Sequence, residues 1–491
     1  MTNLSELLPA GGGGKQAEFV ASGVIPNGTA VALNSNGTIS VVDPDGYPPT
    51  AGTASVFEAA NTSALSFCYD STNNKVFAAY IDGGTNYFTA VLGTVSGKTI
   101  TFATPVVLNS NTAQTGSPGS GCAYNPSANR VLVVYQWRDG SNNKFLVARG
   151  CSTSGSLSLG SEGNVANYAD VTMSDICVSY DAQASRNMIA YYWGYPYYTG
   201  YIESCQINGT LLSFGSNYQI DSQGIANYPN SLVYDSGNNR TILGYQRSGN
   251  IYFIAINASA NGAQSHSGEY NPSINSYAAP TAYDTNQQKI VVAYGDSISQ
   301  AGKVLVINYN GSAFSKGSVT TIATNTLCYF DSNGVSFDSQ TNKIGIVYRN
   351  GDNGYPYPGK LITGTVSGTT ITLSPTATTI GSKFQNPRNV YNSTEKVFVI
   401  AYIDVNNNNY GTALAIDSGQ SNNIDYVGIS DASISDTATG SITLRGGVST
   451  NLSSLTPNST YYVQTDGTIT TTVSDAIAGK ALSSTSLLLK G

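Results

Sequence analysis

The sequence predicts an all-β chain: a seven-bladed β-propeller inserted into a small discontinuous β domain of barrel or sandwich type. Three observations predict it. A short motif recurs seven times at a nearly constant spacing. Each copy sets turn residues between an aromatic and a short apolar run. The two ends of the chain echo one another across the repeats.

The first copy is Tyr69-Asp70-Ser71-Thr72-Asn73-Asn74-Lys75-Val76-Phe77-Ala78-Ala79-Tyr80. Its first aromatic returns as Tyr124, Tyr180, Tyr234, Tyr283, Phe337 and Tyr391, at steps of 49 to 56 residues by subtraction. Such a period marks stacked units or propellers. The closing tyrosine follows eleven positions later: Tyr80, Tyr135, Tyr191, Tyr245, Tyr294, Tyr348 and Tyr402. Position two is Asp70, Asn125, Asp181, Asp235, Asp284, Asp338 and Asn392, and such side chains bond nearby backbone and start turns. A basic residue then opens the apolar run: Lys75, Arg130, Arg186, Arg240, Lys289 and Lys343. In the seventh copy Lys396 comes one place early. The run is rich in β-branched residues and shows little alternation, which predicts a strand covered on both faces. A helix is the poorer reading, because the run is short and bounded by turn residues. The residue before the closing tyrosine is small or modest, from Ala79 to Ala401, which predicts close packing on a neighbouring sheet.

A third strand and a fourth follow in each unit, clearest in Gly93-Thr94-Val95-Ser96-Gly97-Lys98-Thr99-Ile100-Thr101 and again from Gly364 to Thr372. The seventh unit stops after its third strand, near Ile416, and an orphan strand at 53–59 precedes the first unit. The orphan is expected to close the ring as the missing outer strand, because an open array leaves unpaired edges.

Composition excludes several classes. Charged residues are only 10% of the chain, against about 25% in typical domains. Net charge is −7 with no basic block, so binding of nucleic acid through its phosphates is not expected. No run reaches membrane-spanning length, and no secretory leader is visible, so no membrane insertion is expected. The six cysteines form no CxxC pair and His266 is the sole histidine. No metal, no cofactor and buried free thiols are therefore the expectation.

Residues 1–18 read as a flexible tether, with a joint at Gly11 to Gly14. Residues 19–50 and 419–491 read as the small domain, and 51–418 as the propeller. The echo runs from Pro26 to Val42 and from Pro457 to Val473 and is read without a gap, with hairpin turns at Asn36-Gly37 and Asp466-Gly467. Phe19-Val20-Ala21-Ser22-Gly23, Tyr426-Val427-Gly428-Ile429-Ser430, the stretch from Ser454 to Gln464 and Ala478-Gly479-Lys480-Ala481-Leu482-Ser483 follow in that order. In these motifs the ends resemble a small β domain common in structural proteins of tailed bacteriophages, especially marine and cyanobacterial phages. The resemblance implies a virion protein, a tail fibre or appendage. It implies assembly in the host cytoplasm and exposure on the particle surface. Other virion proteins would be met through the small domain and tether, with a homo-oligomer left open. It carries over no catalytic residues.

Three function classes follow. For an enzyme, a glycosidase needs two carboxylates at set separations. Glu58, Glu162, Glu203, Glu269 and Glu395 share no repeat position. No Asp-box turn of the sialidase kind occurs, and His266 lies in a polar Ser265-His266-Ser267 loop. The expectation is no enzyme and no catalytic residue. For a binder, the loops after the closing tyrosines supply candidates: Trp137, Arg138, Trp193, Tyr195, Tyr197, Tyr198, Arg247, Arg349, Tyr355 and Tyr357. Aromatic faces suit sugar rings and arginines suit acidic groups, so a host-surface glycan or other receptor is the expected partner. The competing reading is that these rings cover blade edges. The third class is a capsid or neck decoration or assembly protein whose propeller is a rigid spacer. Strand order places the small domain on the face of the Asp70-type turns and the aromatic loops on the opposite face.

Overall fold

The computed structural model describes residues 15–491, apart from 35, 44–47, 112–118, 142, 170–172, 195–198, 221–226, 325–327, 332, 352–356, 382, 420–421 and 475. The chain divides into two compact units, one of residues 1–49 with 419–491 and one of residues 50–418.

The larger unit is a β-propeller. Each motif copy lies on an antiparallel hairpin, as in Ser120–Asn125 with Arg130–Arg138 and in Thr281–Asp284 with Lys289–Asp296. The hairpin forms because the Asp or Asn side chain turns back on the loop. Asp235 Oδ1 accepts from the amides of Gly237 and Asn238, both at 3.0 Å, and Asn392 Oδ1 accepts from Thr394 and Glu395 at 3.0 Å. The turn ends on a left-handed residue: Asn74, Asn129, Ser185, Asn239, Gln288, Asn342 or Lys396, with φ between 49° and 57°. Asparagine tolerates that region. The seventh lysine comes early because it occupies this left-handed place, and Val397 takes the position of Lys75.

A third strand pairs with the second, and fourth-strand segments pair with the third, as Thr99–Phe102 and Val106–Asn109 both do with Tyr87–Ser96. Strand Ser55–Asp70 serves two sheets. Its first part pairs with Tyr410–Asp417 of the seventh copy, through Tyr410 with Asn61 and Ala413 with Ser55. Its second part pairs with Lys75–Asp82 of the first copy. First strands pack on one another in chain order, and Phe384–Asn392 packs on Ser55–Asp70. Tyrosine hydroxyls clasp adjacent blades: Tyr180 meets Ser127, Tyr283 accepts from Gly237 N at 3.1 Å, and Tyr69 meets Thr394 at 2.9 Å across the closing seam. The ends of this unit meet on the side of the Asp70-type turns. Thr50 N donates to Asp417 Oδ1 at 2.9 Å, and Lys98 pairs with Asp417 at 3.0 Å.

The closing tyrosines are buried. Tyr80, Tyr135, Tyr191 and Tyr245 are 0% exposed, and Tyr294, Tyr348 and Tyr402 at most 5%. They lie in apolar clusters between neighbouring blades. All six cysteines are buried free thiols.

Among the described residues the smaller unit has two five-stranded sheets. One orders Gln16–Val20, Thr439–Leu444, Tyr426–Ser430, Ala30–Leu33 and Ile39–Val41, and the other holds Thr460–Val463 and Ala476–Ala481. A shared core joins Ala30, Ala32 and Tyr426 to Tyr461, Val463 and Leu487. The two hairpins repeat bond for bond. Thr38 N donates to Asn36 Oδ1 at 3.1 Å and Thr468 N to Asp466 Oδ1 at 2.9 Å. Gly37 and Gly467 have φ of 84° and 80°, a region open to glycine because it has no Cβ. The ungapped match is corrected here. Asn34 and Gln464 play one role in the two turns, so the leading segment of the first hairpin holds one residue more.

Candidate functional site

The first strand of each blade is innermost, so the residue four places before the turn Asp or Asn recurs around the propeller axis. These residues are Ser66, Gly121, Cys177, Ser231, Pro280, Gly334 and Arg388. Each stands opposite the small residue that precedes a closing tyrosine, as Ser66 does Ala79, Cys177 does Ala190 and Arg388 does Ala401. Pro280 and Gly334 accept the amides of Ala293 and Val347 in the same way. Bulges just ahead of Ser66, Cys177, Ser231 and Arg388 bend the strands, and bulges re-aim side chains. Six members of the ring are small and uncharged, and the seventh is an arginine.

Arg388 Nε donates to Leu65 O at 3.0 Å and Nη1 to Pro387 O at 2.9 Å. Among the described residues Nη2 makes no hydrogen bond and no carboxylate pairs with it. The titratable groups close enough to act on its charge are Asp331, Cys177, Cys122 and Arg349, from the sixth, third and second copies. Only a position near the axis brings groups from opposite blades close together. Burial lowers its pKa and Asp331 raises it, but a guanidinium remains charged in proteins.

The rim beside it comes from the sixth blade, where Cys328–Tyr329 pairs with the end of Lys343–Asn350. Arg349 pairs with Asp331 at 3.2 Å and lies 5.4 Å over the Tyr329 ring. Tyr329 stacks on Tyr357 with centroids 4.9 Å apart and planes at 11°. A hydrogen bond to Tyr357 and burial raise the Tyr329 pKa.

The other candidates do not gather here. Trp193 is corrected as a surface anchor. It is 4% exposed and packs at 5.2 Å on Tyr201 inside an interblade core. Alternation puts it on the same strand face as Ile189 and Tyr191, which already belong to that core. Arg247 is also corrected. Both of its terminal nitrogens bond Glu269 at 2.9 Å, and it lies 4.1 Å over Tyr252. Trp137 stacks on Phe145 at 4.4 Å, and its buried indole N–H has no acceptor among the described residues. Arg138 is half-buried at the strand end, opposite Lys144. Tyr195, Tyr197, Tyr198 and Tyr355 lie outside the described residues.

Three of the glutamates share a role that their spacing conceals. Glu58, Glu162 and Glu269 each accept the hydroxyl of a closing tyrosine, Tyr80 at 3.0 Å, Tyr135 at 2.7 Å and Tyr245. The fourth strands vary in length, so no common interval exists. Glu203 stands apart. It is 5% exposed, its Oε2 has no hydrogen bond among the described residues, and burial pushes its pKa up to about 8.

No family model and no curated protein matches the chain. Solved structures are similar to it in fold. The periplasmic gluconolactonase PpgL of Pseudomonas aeruginosa is 12% identical, with a TM-score of 0.41 over 73% of this chain and 97% of that one. The Dos1 propeller is 10% identical, with a TM-score of 0.43 over 77% and 97%. The soluble aldose sugar dehydrogenase of Escherichia coli is 9% identical, with a TM-score of 0.37 over 75% and 100%. The expectation that the chain is not an enzyme is withdrawn, two of these three structures being enzymes by name. The likeness is of fold alone and assigns no reaction.

Proposed function

We propose that the chain is a virion appendage or tail-fibre protein of a tailed bacteriophage whose propeller recognises a host-surface glycan. In this reading the motif copies are seven blades of a closed ring, and the end segments form the domain into which the ring is inserted. That domain and the tether meet other virion proteins. The observation that carries the glycan reading is the Tyr329–Tyr357 stack, flanked by the Arg349–Asp331 pair. A tyrosine face covers the apolar side of a sugar while charged groups at its edge bond hydroxyls. The virion reading is supported by the order of motifs at the two ends.

The interior placement of Trp193 and the closed Arg247–Glu269 pair favour a second reading, a decoration or assembly protein with the propeller as spacer. Changing Tyr329 and Tyr357 together to alanine separates the two. The receptor reading expects unchanged melting and virion incorporation but weaker host adsorption, and weaker blocking of adsorption by the isolated chain. Normal adsorption by the double variant leaves the spacer reading standing.

A further inference from the structure

We propose that the propeller axis carries an oxyanion site in which Arg388 binds the carboxylate of an acidic saccharide. The saccharide part rests on the glycan reading above; the oxyanion part stands on Arg388 itself. The residue breaks a pattern. At its place in the other copies stand Ser66, Gly121, Cys177, Ser231, Pro280 and Gly334, none of them charged. A guanidinium has five N–H donors in a rigid fork. Two backbone carbonyls, of Leu65 and Pro387, hold Nε and Nη1 in place. They orient the group without neutralising it, and a half-buried charge without a counter-charge is costly. The acid that faces it, Asp331, is already paired with Arg349 at 3.2 Å. One positive charge is therefore left over on the axis, with the Nη2 edge unbonded.

A carboxylate suits that edge, because its two oxygens match the guanidinium fork. One further feature agrees. The Tyr329–Tyr357 stack, beside the same Arg349–Asp331 pair, offers a face to a sugar ring.

The test is calorimetric titration of the full chain with sodium glucuronate, with glucose and inorganic phosphate as comparison probes. Glucuronate is expected to bind and glucose not to bind. Arg388→Gln is expected to weaken glucuronate at least tenfold with an unchanged far-ultraviolet spectrum. Arg388→Lys keeps the charge but loses the fork, and is expected to weaken it severalfold; it serves if the glutamine variant does not fold. No glucuronate binding, or equal binding by a folded Arg388 variant, overturns the proposal. Phosphate binding that Arg388→Gln abolishes, without glucuronate binding, overturns the carboxylate assignment. Glucuronate binding lost in Arg388→Gln alongside normal adsorption by the Tyr329, Tyr357 double variant sinks the receptor reading and leaves this site in place.

Discussion

At the scale of single residues, Glu203 couples stability to pH. Burial raises its carboxyl from 4.5 to about 8 in the folded chain. The native state therefore holds a proton that the unfolded chain releases between those values. Stability from this group is full below about pH 4.5 and is lost as pH rises to about 8. The loss is at most about 1.4 kcal/mol per pH unit. Glu203→Gln should melt with the wild type at pH 4.5 and above it at pH 9, read by calorimetry. Equal melting at both pH values would mean that the carboxyl is solvated. The closing tyrosines allow a second comparison. Tyr135 donates to Glu162 at 2.7 Å and accepts from Arg149 at 3.1 Å. Among the described residues none bonds the Tyr294 hydroxyl, which burial and Asp296 push up to about 12. Tyr135→Phe should cost about 1.5–3 kcal/mol, as expected for a bond to a charged group, and Tyr294→Phe close to nothing. Paired denaturant melts measure both.

At the scale of the element, the hairpin turn has one design with unequal wiring. Asp70 uses both oxygens: Oδ1 takes the amides of Thr72 and Asn73, and Oδ2 accepts from Asn73 Nδ2 at 2.8 Å and from Thr153. Asp284 uses Oδ1 alone, for Asn286 and Gln287; its Oδ2 is buried without a partner, and burial raises its pKa. An amide in place of the carboxylate keeps the Oδ1 bonds in both turns, as Asn125 and Asn392 do naturally. Asp70→Asn also sets an NH2 against two donors and should cost about 1–3 kcal/mol. Asp284→Asn should be neutral or stabilising at pH 7. Urea melts that rank the two the other way round would refute this account of the turn.

At the scale of the whole molecule, the seam between the seventh and first copies is where the ring is open to failure. Ser55–Asn61 lies along Tyr410–Ala413, and Phe57 covers Gly411 so closely that a Cβ there would meet the ring at 2.3 Å. Glu395 crosses the same seam to Asn74 and to Gly97 N, at 3.1 and 2.7 Å. Gly411→Ala must displace Phe57 from its core. Hydrogen exchange should then rise first in Tyr410–Asp417, with Arg186–Trp193 of the third copy still protected. Uniform loss of protection would mean that the ring opens as one cooperative unit.

Hairpins and burial of the closing tyrosines were readable from Tyr69 to Tyr402, because turn chemistry and strand hydrophobicity act over a few residues and so leave a periodic trace. Lys396 was readable as an irregularity but not as a left-handed turn residue. The site was much less readable. Trp193 and Arg247 look like loop anchors in a one-dimensional chain; only folding places Trp193 on Tyr201 and Arg247 on Glu269. Likewise, nothing near Arg388 in sequence marks it, since its peers are spread from Ser66 to Gly334 and become a ring only when the blades surround one axis. Local bonding is written in neighbouring residues, whereas burial and the pairing of charges depend on which blades meet, and that is decided by the tertiary structure.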